Sequence, residues 1–195
     1  MRAVSHWELA DYLLDTALPQ TTRANAAAFR FGAVESDLNC TTYLKGILHG
    51  NGVHGHNYEQ VLPRIARLLD RLDGTDGTHP LDWYRLGKLT HFIADAFTYP
   101  HNACFAGSLK SHMRYEVHLA VYFRWALCGT MTVNAPQNVG LLPWLVQQHE
   151  DYLQNPMGVE NDARFILTAV CAVTAALTEN VFPLRTSAQF TGEAL

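Results

Sequence analysis

The chain lacks a membrane-length apolar run, a dense block of lysine and arginine, and any closely spaced pair of cysteines. Its longest apolar stretch, residues 165–177, is too short to span a bilayer and contains two threonines. The 14 Lys and Arg residues are dispersed and the net charge is −4, which argues against duplex nucleic acid as a partner. No segment alternates apolar and polar residues with the period of a β-strand, so no sheet is predicted.

The four cysteines also exclude a familiar class of metal site. Cys40, Cys104, Cys128 and Cys171 lie far apart, without the C-x-x-C spacing of zinc ribbons or redox motifs. We therefore predict reduced and mostly buried thiols. The first 20 residues lack the continuous apolar core of a signal peptide, so we expect an amphipathic first helix and a cytoplasmic protein.

Hydrophobic periodicity predicts an all-α protein. With 195 residues, 48% of them hydrophobic, the chain is large enough for one sizeable core, and we expect one domain over residues 1–195. Residues 33–57 are predicted to form a loop whose unusual length indicates function, after a helix that ends at Gly32. The predicted helices cover residues 5–17, 22–31, 58–72, 81–98, 109–128, 136–153 and 161–181. Ser108 is the expected cap of the helix over residues 109–128, and the apolar stretch 165–177 is expected in a buried core helix.

Histidine and carboxylate residues recur between residues 85 and 116, namely His91, Asp95, His101, His112 and Glu116. Residues four apart share a helix face, so two His-x-x-x-acid pairs would each present a nitrogen and a carboxylate to one point. Pro100 is expected to end the first helix and to leave His101 on a connector that turns toward the same point. Nitrogen and oxygen ligands of this kind suit zinc.

The neighbours of the first pair indicate burial. Six apolar residues surround His91 and Asp95 on nearly the whole girth of their helix: Leu86, Leu89, Phe92, Ile93, Ala94 and Phe97. A buried histidine and a buried carboxylate need a partner. Two interpretations are open on spacing and burial alone, a bound cation or a hydrogen-bonded core pair.

The complete pattern is L-G-x-x-x-H-[FY]-x-x-D, then P-x-H, then H-x-x-[YF]-E. Its residues here are Leu86, Gly87, His91, Phe92, Asp95, Pro100, His101, His112, Tyr115 and Glu116. This pattern resembles the bacterial zinc-dependent phospholipase C family and, more distantly, the single-strand-specific nucleases of fungi and plants that share its fold. A weaker resemblance extends it to residues 6–125.

The upstream part of the resemblance adds three positions. They are His6 in SHWELA, Asp37 in FGAVESDLN and a histidine within HGNGVHGHNYE. For that histidine His56 is the first choice, His54 the second and His49 the third.

By resemblance, the fold is a multi-helix bundle of the zinc-dependent phospholipase C and nuclease type, with metals between core helices. One zinc ion would be held by Asp37, His56, His91 and Asp95. A second zinc ion would be held by His101, His112 and Glu116, and Asp95 would reach toward a third position near His6.

The chain departs from the family pattern at two places. Ser36 precedes Asp37 where the family usually has proline. The secreted phospholipases use an N-terminal tryptophan as a ligand to a third zinc, whereas this chain begins with Met1 and its nearest tryptophan, Trp7, follows His6. The third position is therefore open: empty, weakly filled or completed by other groups.

The function implied by the resemblance is a zinc-dependent phosphoric diester hydrolase, in which metal-activated water attacks phosphorus. Asp37 would accept the proton of that water or simply hold the metal. The substrate would be a phospholipid headgroup or a small soluble diester. The alternatives are a single-strand nuclease or nucleotidase on the same scaffold, and a non-catalytic protein stabilised by zinc.

The remaining polar residues carry weaker predictions. His79 and His149 are expected at the surface, His149 because glutamine and acidic residues flank it, and His118 is expected at the surface or as a polar residue of the core. Tyr99, Asn102 and Tyr115 lie close to the proposed ligands in sequence, where they would orient ligands, contact substrate or simply pack.

Overall fold

A computed structural model describes residues 1–18, 21–38, 57–129 and 140–180. In these ranges the chain forms seven α-helices, one 3-10 turn at Tyr99–His101 and no β-strand, which confirms the all-α prediction. The helices are α1 (Ala3–Thr16), α2 (Arg23–Leu38), α3 (Tyr58–Leu72), α4 (Pro80–Ala96), α5 (Leu109–Ala126), α6 (Leu141–Gln154) and α7 (Val159–Asn180). The candidate ligands His49, His54 and His56 lie outside the described residues.

Helix α4 is the centre of the bundle. It packs against α2, α3 and α7 and contacts α1. All residues from 89 to 98 are buried, so this segment has no exposed face. Its first turn is fixed by Pro80 and by the His79 ring, whose Nδ1 accepts a hydrogen bond from the Leu81 amide at 3.1 Å. A helix enclosed on all sides needs apolar residues around its whole girth, and its sequence has them.

Helix α2 continues through Gly32, where we predicted its end, and reaches Leu38. A Cβ atom on Gly32 would lie 2.2 Å from the Tyr84 carbonyl oxygen, and one on Gly87 would lie 2.1 Å from the Phe29 carbonyl oxygen. The two glycines therefore permit backbone-to-backbone contact between α2 and α4 instead of ending a helix. As a result Asp37 lies in the last turn of α2 and not in a loop.

The other boundaries are close to the predictions. Helix α3 has the predicted bounds and is capped by Asn57, whose side chain accepts a hydrogen bond from the Gln60 amide at 3.0 Å. Ser108 caps α5 as predicted, by accepting from the Ser111 amide at 3.3 Å. One apolar core includes side chains from all seven helices.

The apolar stretch 165–177 lies in α7, mostly buried, as predicted. In the ranges that the structure describes, no helix combines the length and hydrophobicity of a membrane crossing.

The prediction of mostly buried thiols is wrong for two of the three cysteines in the described ranges. Cys104 and Cys128 are exposed, because each lies just beyond a helix end, where the chain turns at the surface. Cys171 is partly buried in α7, and burial raises the pKa of its thiol to about 12. All three are free thiols.

Candidate metal centre

Three side chains from two helices meet in the core and form what we call the inner group, His6 of α1 with His91 and Asp95 of α4. All three are buried, with exposures of 1%, 0% and 1%. Asp95 contacts the Nε2 edge of both rings, with Oδ1 3.2 Å from His6 Nε2 and Oδ2 3.3 Å from His91 Nε2. The two imidazole rings stack with their centroids 4.0 Å apart.

Asp37 is a further carboxylate beside the inner group. Its oxygens lie 3.9 Å from His6 Nε2 and 3.8 Å from His91 Nε2, and its side chain is 17% exposed. The His91 Nδ1–H donates to the Ala33 carbonyl oxygen at 2.9 Å, so α2 orients both Asp37 and the His91 ring. In the neutral His91 ring the lone pair is then on Nε2, where it faces the oxygens of Asp37 and Asp95. A cation bound between Nε2 and these carboxylates would relieve the repulsion between the lone pair and the oxygens.

Three further side chains form the outer group, His101 of the 3-10 turn with His112 and Glu116 of α5. Glu116 Oε1 lies 3.3 Å from His101 Nε2 and 3.1 Å from His112 Nε2. Their exposures are 10%, 14% and 17%, so this group reaches the surface. The four-residue spacing of His112 and Glu116 places both on one face of α5, as predicted.

The two groups are contiguous because Asp95 and His101 are close to each other. His101 Nδ1 lies 3.8 Å from Asp95 Oδ2, the oxygen that also faces His91. The Met1 amino group lies between the groups and donates to Asp95 Oδ1 at 2.7 Å. It also lies 3.1 Å from His101 Nε2 and 3.2 Å from Glu116 Oε1.

Charge and burial set the protonation of this cluster. Burial, together with the neighbouring His91, lowers the pKa of His6 to about 3. Burial opposes the ionised form of Asp95, yet the Met1 amino group and the nearby histidines hold its pKa well below the usual range. Burial would also lower the pKa of His91, but the charges of Asp95 and Asp37 raise it. The two stacked rings therefore carry at most one positive charge between them, beside an ionised carboxylate.

The donors of both groups fit a zinc ion. Within each group the ligating atoms lie within 4.8 Å of one another and are imidazole nitrogens and carboxylate oxygens. In the described part of the chain, the buried atoms His6 Nε2, Asp37 Oδ2 and Asp95 Oδ2 have no hydrogen-bond partner. Buried polar atoms without partners are costly, and cations bound among these residues would satisfy them. These orphaned atoms favour the bound cation over a hydrogen-bonded core pair.

A buried carboxylate that was not predicted from the sequence anchors the outer group. Asp162 Oδ2 accepts from the Tyr99 amide at 2.9 Å and from the Tyr115 hydroxyl at 2.8 Å, and Oδ1 accepts from Tyr152 at 2.7 Å. Tyr99 begins the turn that carries His101, and Tyr115 precedes Glu116. In the sequence, Asp162 looks like an ordinary acid in the first turn of a helix, which is why it was missed.

The surface prediction for His149 is wrong. The side chain is only 4% exposed, and its ring stacks on Tyr58 with the centroids 3.4 Å apart. Its Nε2 lies 2.7 Å from Asn102 Oδ1, and the Asn102 amide donates to the carbonyl oxygens of Ala96 and Thr98. His149 shares the buried face of α6 with residues four before and three after it, Leu145 and Tyr152. That spacing was the signal, and the polar neighbours concealed it.

The other histidine predictions are confirmed, since His79 and His118 are exposed. Tyr115 and Asn102 hold the segments around the ligands through hydrogen bonds to Asp162 and to backbone carbonyls.

Comparison with curated proteins and with solved structures finds no match. A family model described as zinc dependent phospholipase C matches residues 5–156, which is more than half of the chain and includes both donor groups. The chain therefore belongs to the zinc-dependent phospholipase C family, a family of hydrolases that depend on zinc.

Proposed function

We propose that this protein is a metal-dependent phosphodiesterase that cleaves the headgroup phosphodiester of a phospholipid. The observation that carries the proposal is the contact between the inner and outer groups through Asp95 and His101, 3.8 Å apart. Adjacent metal ions are typical of enzymes that act on phosphate esters. Family membership supports the zinc dependence and the phospholipid class of substrate.

The ligand assignment follows the two groups. The inner ion would take His91 and Asp95 together with Asp37 and the predicted His56. The outer ion would take His101, His112 and Glu116. His6 contacts Asp95 Oδ1, the oxygen that also faces the Met1 amino group. We therefore include a third ion, beside His6 and Asp95, in the proposal. Bound zinc would supply charge stabilisation for the phosphate oxygens and a water of lowered pKa.

Asp37 is suited to hold the proton that leaves the water. In the metal-free protein, burial, and then the charge of Asp95, raise the pKa of Asp37 to about 6, so the carboxylate is ionised at neutral pH and available to a cation or a proton. Its Oδ2 is a buried acceptor without a hydrogen bond to the described residues. Water would add to phosphorus, the bond from phosphorus to the lipid alcohol would break, and a phosphomonoester and an alcohol would leave.

The outer group supports a catalytic role over a purely structural one. Structural zinc is usually saturated by four protein ligands, whereas catalytic zinc retains a position for water. In the described residues the outer group offers three ligating side chains, each partly exposed. A substrate phosphate can therefore approach this side of the centre. Cytoplasmic location and a single domain over residues 1–195 stay predictions.

The first measurement is metal content. We expect roughly two zinc ions per chain after dialysis, one for each donor group. His101→Ala is expected to lose the outer ion, and His118→Ala, an exposed residue of α5, is the matched control. Protein that remains metal-free and takes up no zinc in calorimetry would contradict the proposal.

The second measurement is substrate class. Zinc-loaded protein is incubated separately with short-chain phosphatidylcholine, bis-nitrophenyl phosphate and single-stranded DNA. We expect phosphocholine release from the lipid and cleavage of the generic diester. Rapid cleavage of DNA without release of phosphocholine would assign the nuclease alternative, and inactivity on all three with zinc bound would assign a structural role to the metal.

A further inference from the structure

The outer face of α5 exposes a stripe of large apolar side chains. They recur every four residues and follow one another along the helix surface: Leu109, Met113, Val117, Val121 and Trp125. Val121 and Trp125 are both 69% exposed. Single exposed apolar residues are normal, but a contiguous stripe over the whole length of a helix marks an interaction surface.

The charged residues beside the stripe are all basic. The exposed charges of α5 are Lys110, Arg114 and Arg124, and Arg124 is paired with Glu8 at 2.6 Å. The only acidic residue of this helix, Glu116, belongs to the outer donor group. The exposed face of α5 therefore combines apolar and cationic side chains, and Glu8 of α1, paired with Arg124, is an acid beside it. This composition is typical of helices that lie in the plane of an anionic lipid interface.

The stripe borders the metal centre. Leu109 lies three residues before His112, and Met113 lies three residues before Glu116, so each ligand of α5 has an exposed apolar residue one helical turn away. A lipid surface seated on this face would meet the protein beside its partly exposed donor group. The net charge of −4 does not oppose this contact, because screening limits charge effects to about 8–10 Å and the exposed charges that α5 itself contributes are basic.

We propose that the exposed face of α5 docks the protein on an anionic phospholipid surface beside the outer donor group. This docking proposal rests on the proposed function, because a phospholipase must bind aggregated lipid. The observations that support docking are separate from those that support the function: the apolar stripe, and the basic side chains beside it that complement acidic headgroups.

Docking is tested by sedimentation of the zinc-loaded full chain with phosphatidylcholine vesicles, with and without phosphatidylserine. We expect binding that increases with phosphatidylserine and weakens with salt. Val121→Gln with Trp125→Gln is expected to weaken binding by more than about tenfold, because two large apolar side chains leave the interface. Lys110→Gln with Arg114→Gln is expected to weaken it about tenfold or more, on phosphatidylserine vesicles only.

A matched control removes the same charge elsewhere. Arg67 and Arg71 are exposed on α3 and line a separate groove of about 500 Å³ with other basic residues. Arg67→Gln with Arg71→Gln should change vesicle binding less than about twofold. If this variant loses binding and the α5 variants do not, the basic groove and not α5 holds the membrane, and the proposal is overturned.

Activity and mass separate the remaining outcomes. Val121→Gln with Trp125→Gln should hydrolyse monomeric short-chain phosphatidylcholine at the wild-type rate and vesicle phosphatidylcholine more slowly. Wild-type protein that cleaves the soluble lipid but binds no vesicle would overturn docking and keep the function. Vesicle binding without any diester hydrolysis would overturn the proposed function and keep the docking proposal. If the variant instead turns a dimer into a monomer and binds vesicles normally, the stripe is a contact between two copies of the chain.

Discussion

The inner and outer donor groups use the same ligand chemistry but are built in different ways. The inner group is buried to about 1% exposure and joins α1 to α4 in the core, with α2 packed against α4 at Gly32 and Gly87. The outer group is 10–17% exposed and depends on a short turn and on α5, which Asp162 ties to α7.

The difference in burial indicates different roles for the two groups. Ligands enclosed in a core are oriented by packing, and an ion bound there adds its binding free energy to the stability of the fold. Ligands on a turn at the surface leave room for substrate but need polar anchors to keep their orientation. We infer that the inner group mainly holds helices together and that the outer group mainly meets the phosphate.

The largest effect is expected from Asp95→Asn. Asp95 faces both donor groups, so this change should weaken metal binding in the inner and in the outer group alike. We expect hydrolysis of bis-nitrophenyl phosphate to fall by more than about 100-fold, since the loss of an outer-shell partner alone costs roughly 10–100-fold. Zinc content should fall in both groups. Asp82→Asn, a buried acid at the other end of α4, is the control and should retain zinc. Normal activity with zinc bound would place the chemistry elsewhere.

Asp162→Asn tests whether the two groups can be separated. The amide replaces an oxygen that accepts from the Tyr99 amide and the Tyr115 hydroxyl, or the one that accepts from Tyr152. Zinc affinity of the outer group should fall roughly 10–100-fold, while the inner group keeps its ion. Calorimetric titration of metal-free protein measures both sites in one experiment. An equal loss at both sites would mean that Asp162 acts on the whole fold.

Gly32→Ala perturbs the support of the inner group through packing alone. In an exposed helix this change would stabilise by up to about 1 kcal/mol. Here the new Cβ would lie 2.2 Å from a carbonyl oxygen of α4, and a backbone atom cannot move aside at small cost. We expect a net loss of about 1–3 kcal/mol in the free energy of unfolding. Denaturant unfolding measures it, with Gly74→Ala as the control, since nothing lies within 4 Å of that position.

His149→Gln should have the smallest effect, because His149 belongs to neither donor group. Burial lowers the pKa of His149 from 6.5 in the unfolded chain to about 4. The unfolded state therefore binds more protons between these values, so this contribution to stability is complete above about pH 6.5 and is lost as the pH falls toward 4. The variant should lose less stability than the wild type between pH 7 and pH 5 in urea unfolding, and exposed His118→Gln should match the wild type.

Local patterns predicted what depends on neighbours in the sequence. The bounds of α3, the Ser108 cap and the pairing of His112 with Glu116 all follow from helical spacing and capping chemistry. The burial of His91 and Asp95 follows from the apolar residues around them.

The errors arose where a distant part of the chain decides the outcome. Gly32 has the signature of a helix end, but the backbone of α4 requires glycine there for close approach. His149 has polar neighbours, but Tyr58 and Asn102 enclose it. Asp162 gains its role from three tyrosines that are distant from it and from one another in the sequence. Spacing along one helix contains none of this information.

The position of Asp95 between the two groups also links their occupancies. A cation in one group draws on the negative charge that the other group needs, so each ion lowers the affinity for its neighbour, and by reciprocity both are affected by the same factor. The enclosed inner group would fill first as free zinc rises, and the outer group would fill only at higher concentration. The protein would then reach full stability before it reaches full activity, and its response to zinc would report the second binding event and not the first.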